Sequence, residues 1–361
     1  MYDVIVVGGG PGGSAAAKRC AELGLKTLLL ERMKLPRRKV CTGMLVAKVA
    51  QDLVEEVFGE SPSKAITPSQ YLSGIRVYAP GIRPRTLEHR IFIAWRKEMD
   101  YWMNKKAEQS GAELRDAARV ETIEEGPDGF TVRLAGADVK ARFLIGADGA
   151  TSVVRSCLFP DLRVRYGGAT REVYKGALKN LETDYMHWFF PAHRIRPRFD
   201  INFKRDGLFA LEGGGLKDLS KEIKQYLADH YGFDPQWEPV WKDGCALSHL
   251  HDELLSGAFV PAKGNALLIG DAAGLAVPVA YEGIGSAVKS GILAAASIGN
   301  AIETGQPAAS AYVPSLEGIM AEIKRLHPLE DWLTKEAEKG DEAMLDAVIF
   351  AFKKAFVESE Y

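Results

Sequence analysis

The sequence predicts an α/β fold. Three observations predict it. The chain opens on an apolar, β-branched strand that breaks into glycines and an Ala-rich helix; strand-and-turn units of related kind return near residues 146 and 270; and between those two returns lies a block of alternating aromatic and basic residues at strand spacing. The pattern describes a discontinuous, Rossmann-like nucleotide-binding domain (residues 1–74, 95–164 and 251–310). Into it is inserted a mixed or antiparallel β-sheet domain (75–94 and 165–250), with C-terminal helices at 311–361.

The opening strand, Tyr2-Asp3-Val4-Ile5-Val6-Val7, leads into a helix over residues 14–23. Between them Gly8, Gly10 and Gly13 match G-x-G-x-x-G, with Pro11 inside the turn. Each glycine has its own task in a nucleotide site: Gly8 permits the tight turn, Gly10 lets the backbone approach a pyrophosphate, and Gly13 lets the helix lie against the strand. The helix start offers free N–H groups and the positive end of its dipole to an anion. A second strand over residues 26–30 ends in Glu31, whose carboxylate can accept hydrogen bonds from ribose hydroxyls. Such a unit serves FAD and NAD(P) alike and leaves the dinucleotide open.

The 361 residues are 47% hydrophobic and 26% charged, an ordinary globular composition with room for two domains. A net charge of −2 without long Lys/Arg runs argues against a nucleic-acid partner. The strand starting at Tyr2 leaves no room for a signal peptide, and no uninterrupted apolar stretch is long enough to span a bilayer, so the expected location is cytoplasmic. Cys20, Cys41, Cys157 and Cys245 form no CxxC pair, which points to neither zinc nor an iron–sulfur cluster. No metal is expected, and in a reducing compartment the four are thiols.

After Glu31 and Arg32, residues 36–44 form a basic loop containing Cys41, Thr42 and Gly43, either solvated or lying beside a cofactor's reactive end, before a helix over 45–58. Residues 75–78 and 86–94 read as strands. Apolar spacing through Met99, Trp102, Met103 and Ala107 marks a helix opening at Arg96, which is either a solvated cation or a phosphate partner. Residues 120–125, starting at Val120, and 130–134 make a hairpin, and 139–145 is a buried strand running into Gly146-Ala147-Asp148-Gly149. The middle block carries strands at 172–177, 185–190, 199–203 and 207–212, a helix over 216–231 and a strand near 241–247. Its cations His193, Arg194, Arg196, Arg198, Lys204 and Arg205 read as a solvated strand face or as contacts for a phosphate, carboxylate or CoA-like group. The strand at 265–269 then enters Gly270-Asp271-Ala272-Ala273-Gly274, with Asp271 at a strand's carboxyl end, before the long helix that runs to about residue 302. Two anion-attracting helix starts and two Gly/Asp turns suit a ligand longer than a mononucleotide.

These residues resemble the class A flavoprotein monooxygenase and reductase superfamily with the para-hydroxybenzoate hydroxylase fold, through Gly8-x-Gly10-x-x-Gly13, Gly146-Ala147-Asp148-Gly149 with Arg155, and Gly270-Asp271. Within it, Gly270-Asp271-Ala272-Ala273-Gly274-x-x-x-Pro278-x-x-x-Glu282-Gly283-Ile284 and Lys39-Val40-Cys41-Thr42-Gly43 resemble the geranylgeranyl reductase family. The resemblance implies FAD. It implies a cofactor contact set of Gly8, Gly10, Pro11, Gly13, Glu31, Arg32, Cys41, Thr42, Gly43, Arg96, Val120, Asp148, Gly149, Gly270, Asp271, Pro278, Gly283, Ile284 and Gly285. In that set Glu31 binds the AMP ribose and Arg96 the pyrophosphate region, while Pro278 and Gly283 to Gly285 lie beside the isoalloxazine, where a helix N-terminus stabilises the reduced ring. Trp188, Phe190 and Pro191 match the reductases' Tyr-x-Trp-x-Phe-Pro substrate motif, with Met186 at the Tyr position, and Tyr281 stands where the reductases usually have Gly.

The function expected is hydride transfer from flavin N5 to a C=C bond of an isoprenoid or other hydrophobic or acyl substrate, with Cys41 and Tyr281 as candidate proton donors. Electrons would come from NAD(P)H, ferredoxin or another flavoprotein. An aromatic-hydroxylating monooxygenase and a flavin electron-transfer protein are the alternatives. Met344, Leu345, Val348, Ile349, Phe352 and Phe356 form a helical apolar stripe, which either packs on its own domain or serves a homodimer or peripheral membrane contact.

Overall fold

The computed structural model of the chain describes residues 1–214, 216–279 and 281–360, leaving aside the side chains of 216–220. Two eight-stranded sheets organise it. In the first, Ala262–Lys263, Ala266–Leu268, Ala137–Gly146, Tyr2–Val7, Thr27–Leu30 and Glu113–Arg115 lie side by side in that order, and the hairpin of Val120–Gly126 and Gly129–Leu134 joins the early part of Ala137–Gly146. From Ala266–Leu268 to Glu113–Arg115 all five strands are parallel. Parallel strands are covered on both faces, which is why Val4 to Val7 and Thr27 to Leu30 are buried without alternation. Helices Pro11–Glu22 and Ile284–Thr304 pack so closely that a Cβ on Gly291 would lie 2.4 Å from the Gly12 carbonyl oxygen.

The second sheet runs in the order Trp241–His249, Arg165–Lys175, Leu208–Gly213, Phe199–Phe203, Tyr185–Phe189, Ser69–Tyr78, Arg85–Ala94, Met44–Leu45. Among the described residues of this sheet only Tyr185–Phe189 and Ser69–Tyr78 pair in parallel, so the sheet is mixed. One face carries an aromatic core of Tyr174, Phe189, Phe203 and Phe209 beneath the helix Leu216–Tyr231, with Ile223 and Leu227. The opposite face is divided. Helix Asp341–Phe352 and the turn Lys353–Val357 cover the half bearing Leu72, Ile75, Val77 and Trp188, with the Trp188 and Phe352 rings 5.1 Å apart. The other half fronts the nucleotide domain.

One open alternative is decided and two expectations change. The C-terminal stripe packs on the chain's own sheet, with Met344, Leu345, Val348, Phe352 and Phe356 buried, so the apolar face that a dimer or membrane contact would need is already taken. The helix expected from residue 45 starts at Lys48, because Met44 and Leu45 pair with Ile93 and Phe92 as a short edge strand. The strand expected from residue 75 starts at Ser69, since its first half has little apolar alternation to reveal it. Among the described residues, no helix is long and apolar enough to cross a membrane.

Candidate active site

Four parallel strands end side by side, and each ends in a loop of the site. Val7 pairs with Leu30 on one side and Gly146 on the other, and Gly146 pairs with Leu268. Gly8, Glu31, Ala147 and Ile269 therefore open one crevice at the carboxyl ends of the sheet, where open α/β sheets bind ligands. Backbone bonds lock the ends together: Gly8 N–H donates to Leu30 O at 2.7 Å, Ala147 N–H to Val7 O at 2.8 Å, and Ile269 N–H to Gly146 O at 3.0 Å.

The glycines divide the work. A Cβ at Gly13 would sit 1.9 Å from the Gly8 carbonyl oxygen, so this residue is fixed by packing. A Cβ at Gly10 would meet nothing within 4 Å, and there the backbone is bare to the crevice. Arg155, fully buried, ties the second loop to the third by donating to the carbonyls of Ala150 and, at 2.8 Å, Ala272. Asp148 turns toward its own loop: it accepts from the Ser152 hydroxyl and from Val153 N–H at 2.6 Å. Burial nonetheless raises its carboxyl above the ordinary value.

Beside the first loop lies a buried ion network that the sequence reading missed. Glu31 accepts Gly9 N–H at 3.2 Å and Met33 N–H at 2.9 Å, and Arg37 Nε lies 2.9 Å from it. Arg37 reaches on to Asp100 at 2.8 Å, and Asp100 holds Arg96 through two bonds of 2.7 and 3.0 Å. Asn104 donates to Gly9 O at 2.8 Å, while its buried Oδ1 has no partner among the described residues. Arg96 is thus no solvated cation; it is 7% exposed. Burial works against its charge, but Asp100, with Cys41 beyond, outweighs burial and keeps the guanidinium firmly charged. A readable signal existed: Arg96, Asp100 and Asn104 recur at every fourth residue, a polar stripe on one helix face.

At the third loop, Tyr281 has φ +54°, in the left-handed region that favours glycine. The turn keeps a glycine's geometry while presenting a phenol, whose oxygen is 3.1 Å from His249 Nδ1; burial raises its pKa. Glu282 accepts the N–H groups of Ile284 and Gly285 at 3.2 and 3.1 Å. The helix start read as an anion site for the reduced ring therefore has two of its donors on the chain's own carboxylate, a correction to the plain dipole argument.

The second sheet closes the crevice. Cross-strand register puts Trp188, Asp200, Glu212, Arg171 and Asp243 in one row, and Trp188, Asp200, Glu212 and Asp243 line the cavity. Arg171 bridges this wall to the Cys41 loop: it donates to Cys41 O at 3.1 Å and lies 2.6 Å from Asp243. Lys204 does likewise, donating to Thr42 O at 2.6 Å. The expected solvated strand face is not formed: His193, Arg194, Arg196 and Arg205 are exposed on the loops either side of Phe199–Phe203, Arg198 is half-buried, and Lys204 is 7% exposed, where burial brings its pKa down to about 8.

One cavity of about 900 Å³ joins these parts. Gly8, Gly10, Pro11, Glu31, Arg32, Cys41, Thr42, Arg96, Val120, Asp148, Gly149, Gly270, Asp271, Tyr281, Gly283, Ile284 and Trp188 line it. Gly13, Gly43, Pro278, Gly285, Phe190 and Pro191 are not on its wall. A Cβ at Gly43 would lie 1.9 Å from Ala94 O, so that glycine serves packing, and Phe190 belongs to the core beneath the C-terminal helix.

Residues 1–167 match the family model for an FAD binding domain. A geranylgeranyl diphosphate reductase of Rhodobacter capsulatus is 30% identical over 85% of this chain and 77% of its own length. A digeranylgeranylglycerophospholipid reductase of Methanococcus vannielii is 26% identical over 81% and 75%. In structure, a geranylgeranyl bacteriochlorophyll reductase-like protein of Thermoplasma acidophilum shares the fold, with a TM-score of 0.73, 21% identity, and 98% and 96% of the two chains covered. The cofactor is FAD, and the crevice fits it: the open cradle at Gly10 lies in a continuous cavity that extends from Glu31 to Gly283 and the second sheet.

Proposed function

The chain belongs to the geranylgeranyl reductase family of FAD-dependent oxidoreductases, and from that premise we propose that it reduces a carbon–carbon double bond of an isoprenoid or related hydrophobic substrate. When bound and reduced, FAD supplies a hydride at N5. The bare backbone at Gly10 and the start of helix Pro11–Glu22 would hold the pyrophosphate, Glu31 the adenosine ribose, and Asp271 the ribityl region. Cys41, Thr42, Tyr281 and Gly283 would border the ring. The hydrocarbon would enter between Met44, Val46, Trp188 and Phe356, an apolar part of the cavity lining. An external donor, NAD(P)H, ferredoxin or a flavoprotein, would reduce the cofactor.

The observation carrying this reading is that Cys41 and Trp188, from different elements, line the same cavity as the glycine turns. The test is to photoreduce the holoprotein without oxygen and add geranylgeranyl diphosphate, quinones or acyl-CoA compounds. Recovery of oxidised-flavin absorbance with a saturated product is expected for the isoprenoid. Reoxidation only by O₂, with an oxygenated product, would instead favour a monooxygenase. Cys41→Ala and Tyr281→Phe are expected to keep FAD and slow the isoprenoid reaction by roughly tenfold or less, as ring contacts do.

A further inference from the structure

The cavity wall carries a carboxyl pair to which the reaction above gives no task. Asp200 and Glu212 stand opposite one another on antiparallel strands, both line the cavity, and they are only 7% and 5% exposed. Directly opposed Cβ atoms lie about 4.5–5.5 Å apart. Two like charges that close, away from water, disfavour one another, so a shared proton is the cheaper state.

The surroundings of the two differ. Glu212 lies 3.4 Å from Arg171, which also binds Asp243. Asp200 accepts a bond from Asn202 Nδ2 at 3.2 Å and, among the described residues, has no cation within ion-pair distance. The nearby cations are committed elsewhere: Lys204 to Thr42 O and the Trp95 ring, and Arg198 to Val279 O at 2.9 Å with its guanidinium over Trp188 at 4.6 Å. Trp188, of the substrate motif, is Asp200's neighbour in register on the other side.

Resting on the reductase reading, we propose that Asp200, kept as the neutral acid by Glu212, donates the proton that completes reduction of the double bond. The direction of titration agrees. Burial, then the Glu212 charge, pushes Asp200 well above the usual carboxylate range, with Asn202, Arg198 and Lys204 opposing; burial also raises Glu212 against Arg171 and Lys204, with Asp243 adding to the rise. In the step, one alkene carbon gains the hydride that reduced FAD supplies, and the π electron pair forms a C–H bond at the other carbon as the Asp200 O–H bond breaks. FAD is left oxidised, the alkene saturated and Asp200 a carboxylate, which solvent reprotonates. Of the two donors read from sequence, the Tyr281 hydroxyl is engaged with His249, while Cys41 lines the cavity beside Asp200 and is separated from it by the variants below.

Two readouts test it. Infrared difference spectra of the holoprotein across pH read the proton without any substrate. A protonated-carboxyl band is expected at pH 7 in wild type, absent in Asp200→Asn, and titrating at lower pH in Glu212→Gln, where the neighbouring charge is gone. In single turnovers of photoreduced enzyme with geranylgeranyl diphosphate, Asp200→Asn is expected to bind FAD normally and lose at least about 100-fold in reoxidation rate. No band at pH 7, a band that survives in Asp200→Asn, or an Asp200→Asn rate within a few fold of wild type would overturn the proposal. A wild-type enzyme inert toward geranylgeranyl diphosphate but retaining the band would count against the substrate reading and leave the shared proton supported.

Discussion

The crevice and the wall that faces it are built by opposite means. Around Gly8, Gly146 and Ile269 the site is backbone, aligned by parallel strands and held by amide bonds. On the facing sheet the site is side chains, a row of buried charges hung on antiparallel register. A backbone site needs residues that lack something, and a side-chain site needs residues that balance one another. The first fails when bulk is added, the second when a charge or its partner is removed.

The largest effect expected is at Gly13. Valine there would drive a Cβ to 1.9 Å from the Gly8 oxygen, and Gly13→Val is expected to give little soluble protein and no bound flavin. Gly10→Ala sharpens the contrast, because its Cβ meets no protein atom. That variant should keep the apoprotein's melting temperature and lose at least about tenfold in FAD affinity, measured by fluorescence titration; early melting would refute the bare cradle.

Next is Arg155→Met, which strips a buried guanidinium from the carbonyls of Ala150 and Ala272. Urea unfolding should show a loss of about 2–4 kcal/mol, since buried acceptors left unpaired are expensive. A loss below about 0.5 kcal/mol would mean that the loops hold without the staple.

The wall responds to pH instead. Asp200 keeps its proton in the folded state above the pH at which the unfolded chain loses it, so its contribution is present below about pH 4 and is lost as pH rises through the folded value. Asp200→Asn cannot ionise, and its melting temperature relative to wild type should rise steadily between pH 4 and 7, by about 5 °C. A difference constant with pH would remove the raised carboxyl. Smallest is Tyr281→Gly, which relieves the φ +54° backbone but gives up the ring's packing and its His249 bond; thermal melts should differ from wild type by no more than about 1 kcal/mol.

This contrast explains what could be read in the sequence. Gly8, Gly10 and Gly13 announce a nucleotide turn because few other residues fit that path, and Gly270-Asp271 announces the third loop in the same way. Phe199-Asp200-Ile201-Asn202-Phe203-Lys204 alternates as cleanly, yet alternation says only that one face is polar. Whether that face meets water or a cofactor depends on what packs opposite, and here the nucleotide domain does. Arg37 was equally illegible: its partners Glu31 and Asp100 sit on a strand end and a distant helix. Glu282 misled differently, since a carboxylate two residues before a helix amide can cap that helix and occupy the anion site attributed to the dipole.

The most direct measurement is the structure of the FAD-bound protein. The account predicts the adenosine end at Glu31, the pyrophosphate over Gly10, and the ring bordered by Cys41 and Gly283 with its open side toward Trp188 and Asp200. A ring turned away from the second sheet, or a dinucleotide that bypasses any one of the three loops, would contradict it.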